Sequence, residues 1–372
     1  MRTQAHALEF GGTQYRSEMD GSIGLCSLID ARWRPRRLKA KLAVSLILLG
    51  LAEAAIGAAN PKHPSKRIDY AMAYVPFLHS VIMHGGWAPP DWVATNEAWR
   101  WDGRSWSRWV TAGSPAFAHH TMAFDSGRNV LVICGRPAPG EGGEYQIWEF
   151  NGNSWNRRAS VPVHGTAQGD PKLTYDERRK RLVLYAALNG KSTEVWEFDG
   201  KNWQLISCAH QPVRCDDNGC LFQYDSALGK SVLVGEERAS DQLLSWDGHE
   251  WGVAGGTGTQ TWLWDGVDWV RVPGDQPPRA VWGGIGFDTN RHELFLLTTR
   301  MQTWSLRRDR WVRLRPTMSP RPVPNGFFAM AYDPSRNSGV FFGGESRSSQ
   351  PEKDWEYPVT TWSFDGENWT SY

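Results

Sequence analysis

Groups able to move a proton or clamp an anion recur where an apolar stretch of this chain ends: Arg136, Glu236, Glu237, Arg300 and Glu345. Carboxylates and guanidiniums converging on one pocket could act as general acid, general base and electrostatic clamp. These five differ in type and share no recognisable geometry. No nucleophile elbow, phosphate-cradling glycine loop or metal signature accompanies them. No catalytic residue, cofactor or metal is therefore assigned, and the five stand as the candidates of an alternative reading.

Two further constellations could carry chemistry. His119-His120 invites a metal reading, but no second cluster joins it, so a structural role is the better expectation. Cys208, His210, Cys215 and Cys220 could ligate zinc, yet they form no Cys-x-x-Cys pair. In an exported chain a disulfide is the better expectation, with Cys208 bonded to Cys215 and Cys134, on a buried strand, left as a thiol. Flat side chains supply the remaining candidates: Trp87, Trp92, Tyr145, Trp355 and Tyr357 lie outside any repeat. They read either as a platform on which sugar rings stack or as ordinary loop packing.

These residues are positioned by a repeated frame, Trp-x-aromatic-Asp-Gly-x-x-Trp. It is clearest at Trp99 to Trp106 and recurs at 148 to 155, 196 to 203, 244 to 251, 262 to 269, 304 to 311 and 362 to 369. Positions one and three face the same side of a strand, Asp-Gly makes the turn, and the last Trp opens the returning strand. Each copy is a hairpin that cannot bury its own rings, so the copies must stack.

A second element precedes most frames: an apolar strand ending in aromatic-Asp, a tight turn, and another apolar strand. Met122 to Arg128 before Val130 to Cys134 is one instance, and Leu173 to Arg179 before Leu182 to Tyr185 is another. The Asp and Arg of these turns, such as Asp125 with Arg128 and Asp333 with Arg336, read as turn stabilisers because they repeat. The aromatics Tyr74, Phe124, Tyr175, Tyr224, Phe287 and Tyr332 lie 50, 51, 49, 63 and 45 residues apart. Four short strands in a period near 50 residues make a propeller blade.

The chain here resembles the kelch-type β-propellers of the galactose oxidase and kelch class, in bacterial exported form, over about residues 70 to 372. Gly85-Gly86 and Gly343-Gly344 match the double glycine that ends the second strand in that family. Gly135-Arg136, Ala186-Ala187, Gly235-Glu236 and Thr298-Thr299 depart from it. The resemblance implies an all-β propeller and is specific for fold rather than activity. Some members are copper-radical oxidases, whose Tyr-Cys crosslink and ligands have no match here. Another is a six-bladed periplasmic sialic-acid epimerase, which supplies the alternative of a sugar-active enzyme with acid and base groups at the central mouth.

Six inner aromatics against seven frames give six four-stranded blades with an extra hairpin near residues 252–272 on the fourth. The alternative is seven blades with one truncated, although the 63-residue interval falls about 37 residues short of two full blades. The C-terminal hairpin closes the ring beside the blade that begins near Tyr70. The long connections at 84–96, 135–145 and 343–358 share one face, which is where function is expected.

Residues 1–59 read as a targeting region: a basic run from Arg32 to Lys41, then the apolar 42–52 and small residues to 59. This is the form of a cleaved secretory signal, with an uncleaved membrane anchor at 42–59 as the alternative. About 41 residues ahead of the apolar run is long for such a signal, and the expectation is a true start downstream of Met1. Residues 60–69 read as a linker. Forty-one basic and 40 acidic residues leave a net charge of +1, so no global field draws the chain to nucleic acid. The expectation is an exported binding module for a protein or glycan, held on the long-loop face.

Overall fold

A hairpin with large rings at its first, third and last positions buries them only against a neighbouring sheet, and every regular frame does so as the outer half of a four-stranded antiparallel blade. The computed structural model describes residues 61–136, 145–164, 167–188, 192–212, 219–236, 244–246, 251–253, 258–278, 282–320, 326–347 and 355–372. The chain divides into two units, 1–59 and 60–372. The proposed targeting region lies outside the described residues. Among those described, no helix is long and apolar enough to cross a membrane.

Blade one is Ala71–Val75, Ser80–His84, Ala98–Trp101 and Trp106–Arg108; blade two is Thr121–Asp125, Val130–Gly135, Gln146–Phe150 and Trp155–Arg157. Blade three is Ala167–Asp176, Arg181–Leu188, Thr193–Phe198 and Trp203–Ile206; blade four is Leu221–Asp225, Lys230–Glu236, Thr259–Trp264 and Trp269–Arg271. Blade five is Gly284–Asp288, Glu293–Leu297, Thr303–Arg307 and Arg310–Arg313; blade six is Met330–Asp333, Ser338–Phe342, Thr361–Phe364 and Trp369–Ser371. The first strand of each blade packs beside the first strands of its two neighbours, and blade six returns to blade one. The fold is thus a closed, kelch-like β-propeller of six blades, which leaves no long free sheet edge.

The frame works as its spacing predicts. Its third and eighth residues sit directly opposite each other, as in Trp101 with Trp106 and Phe364 with Trp369. The aromatic pairs of this kind have ring centroids 4.9 to 5.3 Å apart. The last Trp then reaches the preceding blade: Nε1 of Trp106, Trp311 and Trp369 donates to Oγ1 of Thr361, Thr261 and Thr303 at 2.7, 2.8 and 2.9 Å. These three frames therefore close their own hairpins and also tie two blades together. Blade five departs most, with Leu306 at the third position and Arg308 at the glycine position with φ +60°.

The extra hairpin is not where the sequence placed it. Residues 259–271, within the expected 252–272, are the regular third and fourth strands of blade four. The inserted element is Leu244–Trp246 paired with Trp251–Val253, a separate two-stranded sheet in the connection after the second strand. The frame at 244 to 251 carries the hairpin signal in all but its first place, where Leu244 stands for Trp, and pairing to Lys230–Glu236 distinguishes the two. Similar small hairpins follow the second strands of blades one and six, at Trp87–Ala88 with Val93–Ala94 and Ser346–Arg347 with Trp355–Glu356.

The stretch 60–69 also differs from a plain linker at its end. Arg67 is buried, donating to the Gly85 carbonyl and pairing with Glu97 at 2.8 Å. Ile68 bridges to Trp87, and Asp69 takes a place in the ring described next.

Candidate functional site

The six first strands surround a central channel with a cavity volume of about 410 Å³. The strands enter it at the long-loop face. Five residues before the inner aromatics stand Asp69, His119, Asp170, Gly219, Trp282 and Phe327, and all but Gly219 line this mouth. This column varies in type from blade to blade, whereas the position three residues on is apolar in every blade: Met72, Met122, Leu173, Phe222, Ile285 and Met330. Blades one to three contribute titratable groups, and blades five and six contribute rings.

The backbone is specialised there. Asp69, His119, Trp282 and Phe327 have φ of +54°, +53°, +58° and +56°, a region that costs non-glycine residues energy and that clusters at ligand sites. The left-handed turn lets adjacent blades join: the His119 amide donates to the Asp69 carbonyl at 3.1 Å, and the Asp69 amide donates to the Phe327 carbonyl at 3.4 Å. Asp170 reaches the same level by another route. The pairing of blade three shifts register between Gln168 and Lys172, a bulge that contains Pro171 and re-aims the residues on either side.

On the polar half, His119 Nδ1 lies 3.6 Å from Asp69 Oδ1 and 3.4 Å from Asp170 Oδ2. Burial, reinforced by the Asp170 and Glu345 charges and opposed by His119 and Lys172, pushes the Asp69 carboxyl up to about 7. Burial disfavours charge on His119, but Asp170 and Asp69 outweigh it and hold the imidazole above its ordinary value. Lys172 is pushed down by burial, against the pull of Asp170 and Asp69. On the aromatic half, the Trp282 and Phe327 rings stack with centroids 5.4 Å apart and planes 28° apart. Trp87 meets His119 edge-on at 5.9 Å, joining the halves on one side.

The sequence-derived candidates are distributed unevenly around this mouth. Glu345 is buried and accepts from the Tyr357 hydroxyl at 2.8 Å, close enough for its charge to act on Asp69. Arg136 follows the second strand of blade two, and its charge acts on Tyr145 rather than on Asp69 or His119. Glu236 ends the second strand of blade four and Arg300 is exposed in the blade-five turn, while Glu237 lies outside the described residues. Trp87 is half-buried at the rim. Trp92 and Tyr357 face each other, ring centroids 4.6 Å apart, across the junction of blades one and six. The side chain of Trp355 lies outside the described residues.

Two expectations are corrected. Tyr145 is fully buried, bridged to Val161 and packed between blades two and three, so it is no surface anchor. Its position next to a strand start drives it into the core. The expected Cys208 to Cys215 bond does not form: Cys208 is a free thiol, and Cys220 is disulfide-bonded to a partner outside the described residues. Spacing along a connection cannot say which sulfurs face each other. Cys134 is a buried free thiol.

His119-His120 splits in two. His120 is buried and meets His84 Nδ1 through its Nε2 at 3.1 Å, while His84 Nε2 meets Ser114 Oγ at 2.9 Å. His119 faces the mouth. No group of three potential metal ligands converges among the described residues. Asp69, Asp170, Lys172, Trp282 and Phe327 were not singled out by the sequence reading. Aligning the repeats on their inner aromatics would have placed all five at the starts of the first strands, where residue type varies from blade to blade.

No family model and no curated protein matches this chain. Solved structures do. YjhT matches over 84% of this chain and 99% of its own, with TM-score 0.54 and 12% identity. The SapL1 lectin, solved in complex with alpha methyl fucoside, matches over 82% and 95% with TM-score 0.50 and 12% identity. AofleA from Arthrobotrys oligospora matches over 82% and 86% with TM-score 0.51 and 10% identity. At these identities the likeness establishes the β-propeller fold.

Proposed function

We propose that this chain is a saccharide-binding propeller acting outside the cytoplasm, with its site at the channel mouth on the long-loop face. The observation that carries this reading is the two-sided mouth. A sugar ring has an apolar face of C–H groups and an edge of hydroxyls. Trp282 and Phe327 offer the first a flat surface, and Asp69, Asp170 and His119 offer the second charged acceptors and donors. That one structural neighbour was solved with a fucoside is consistent with it. The Cys220 disulfide and the basic-then-apolar leader favour an exported chain.

A glycan array followed by calorimetry on the hit tests this. Wild type should bind a defined glycan, and both Trp282→Ala and Asp170→Asn should weaken it by tenfold or more, about 1.4 kcal/mol or more. Binding that survives both substitutions would move the site elsewhere.

A second reading, proton transfer on the bound sugar, is favoured by one observation: a carboxyl near neutrality beside an imidazole at a cavity. Turnover of the array hit that Asp69→Asn abolishes without loss of binding would select it.

A further inference from the structure

Lys172 has a setting unlike that of any other described lysine. It lines the channel from the inner strand of blade three, opposite Tyr185, just past the bulge that carries Asp170. It makes no hydrogen bond or ion pair with any described residue. Buried or half-buried ammonium groups are normally paired, because an unpaired charge is costly away from water. Asp69, His119 and Asp170 line the same channel, and the charges of both aspartates act on it, a set that can deliver and accept protons.

From this juxtaposition we propose that Lys172 is a nucleophilic amine that forms an imine with an aldehyde or ketone small enough to enter the channel. Neutral Nζ attacks the carbonyl carbon, and the carbonyl oxygen takes a proton from the Asp69 carboxylic acid. The carbinolamine nitrogen gives up one proton to the carboxylate or imidazole nearby. Its hydroxyl then takes back the proton held by the re-formed carboxylic acid and leaves as water, the nitrogen lone pair forms the C=N bond, and the remaining N–H proton of the iminium returns to the Asp69 carboxylate. Amine and carbonyl become imine and water, with no oxidant or reductant. Burial supports the step, because it favours the neutral amine that attacks. The inference stands apart from the saccharide reading, since the amine can react whether or not the mouth holds a glycan.

The test uses the full chain, dilute glyceraldehyde and cyanoborohydride at neutral pH, with peptide mapping of the reduced adduct. Lys172 should be labelled several-fold faster than the average lysine, because burial leaves more of it as the neutral amine. Asp69→Asn should slow that labelling. Lys172→Arg, which keeps the positive charge, should lose the fast phase while keeping its circular dichroism and any glycan affinity. Labelling spread evenly over surface lysines, or an unchanged fast phase in Lys172→Arg, overturns the proposal. Loss of glycan binding in Trp282→Ala bears only on the saccharide reading.

Discussion

The guanidinium of Arg336, from the first turn of blade six, lies over Gly103 of blade one so closely that a Cβ on the glycine would stand 2.3 Å from Arg336 Nε. The same contact recurs between Arg128 and Gly200, Arg179 and Gly266, and Arg291 and Gly366. Each arginine is held by the aspartate of its own turn, as Arg336 is by Asp333 at 2.6 Å. The repeated Asp and Arg therefore stabilise a turn and also staple one blade to the next. Blades one and four lack this arginine. In the blades that follow them, Gly152 has nothing within 4 Å, and Arg308 replaces the glycine outright. The inner aromatic follows suit. Tyr175, Tyr224 and Tyr332 bond the preceding turn through their hydroxyls, whereas Phe124 and Phe287, after the unstapled turns, have none to offer.

This relationship separates two glycines that a sequence treats alike. Gly103 and Gly152 both have φ +96°, so alanine strains both by about 1 kcal/mol or more. Only at Gly103 must it also displace a guanidinium. Gly103→Ala should lower urea stability by roughly 1 to 3 kcal/mol more than Gly152→Ala. In a double-mutant cycle, Arg336→Ala should recover part of that excess. Equal costs at the two sites would refute the staple.

The Trp92 and Tyr357 rings, expected from sequence to be free ligand anchors, meet across the ring-closing junction, and Tyr357 is held in turn by Glu345. Trp92→Ala should therefore act on closure of the propeller, costing about 1 kcal/mol or more of stability. Affinity for the array hit should change far less than in Trp282→Ala. The reverse pattern, full stability with lost affinity, would restore Trp92 as an anchor.

The blades were legible because their signals are local: period-two rings, an Asp-Gly turn and apolar strands each reveal themselves within ten residues. The inserted hairpin at 244–253 failed for the same reason, since its frame is locally correct and only strand pairing exposes it. The mouth was largely illegible. Asp69, His119 and Asp170 sit about 50 residues apart, differ in type, and meet only because consecutive blades pack their first strands side by side. Likewise no local feature told Cys208 from Cys220, or an exposed tyrosine from the buried Tyr145.

Arg67 offers a test of buried charge at the entry to blade one. Its side chain is inaccessible, and burial pulls its pKa down while the hydrogen bond and charge of Glu97 oppose this. Removing Glu97 leaves a buried cation without its partner, at a cost of about 3 to 5 kcal/mol. Arg67→Met removes the charge itself and fills similar space, so it should be the milder change. Thermal melts of Glu97→Ala and Arg67→Met should rank in that order, and the opposite ranking would mean that the Gly85 and Ser65 hydrogen bonds matter more than the charge.

The pH dependence of stability should carry two limbs of opposite sign. Asp69 rises from an ordinary 3.8 to about 7, chiefly through burial. The folded chain thus holds this proton more tightly than the unfolded chain. The stability it contributes is present in acid and is lost as pH climbs from about 4 through about 7. His119, also raised, acts in the same direction as pH passes its folded value. His84 is pushed down to about 3, and its neighbour His120 well below its ordinary value, both chiefly by burial. Here the unfolded chain binds the extra protons, so stability is lost as pH falls below 6.5. Asp69→Asn should accordingly gain on wild type as pH rises, by roughly 3 to 4 kcal/mol between about pH 4 and 8, while keeping the loss on the acid side. Urea unfolding of both proteins across that range reads the difference directly. Curves that run parallel would mean that Asp69 has an ordinary carboxylate in the folded chain, and the proton-sharing set at the mouth would lose its central member.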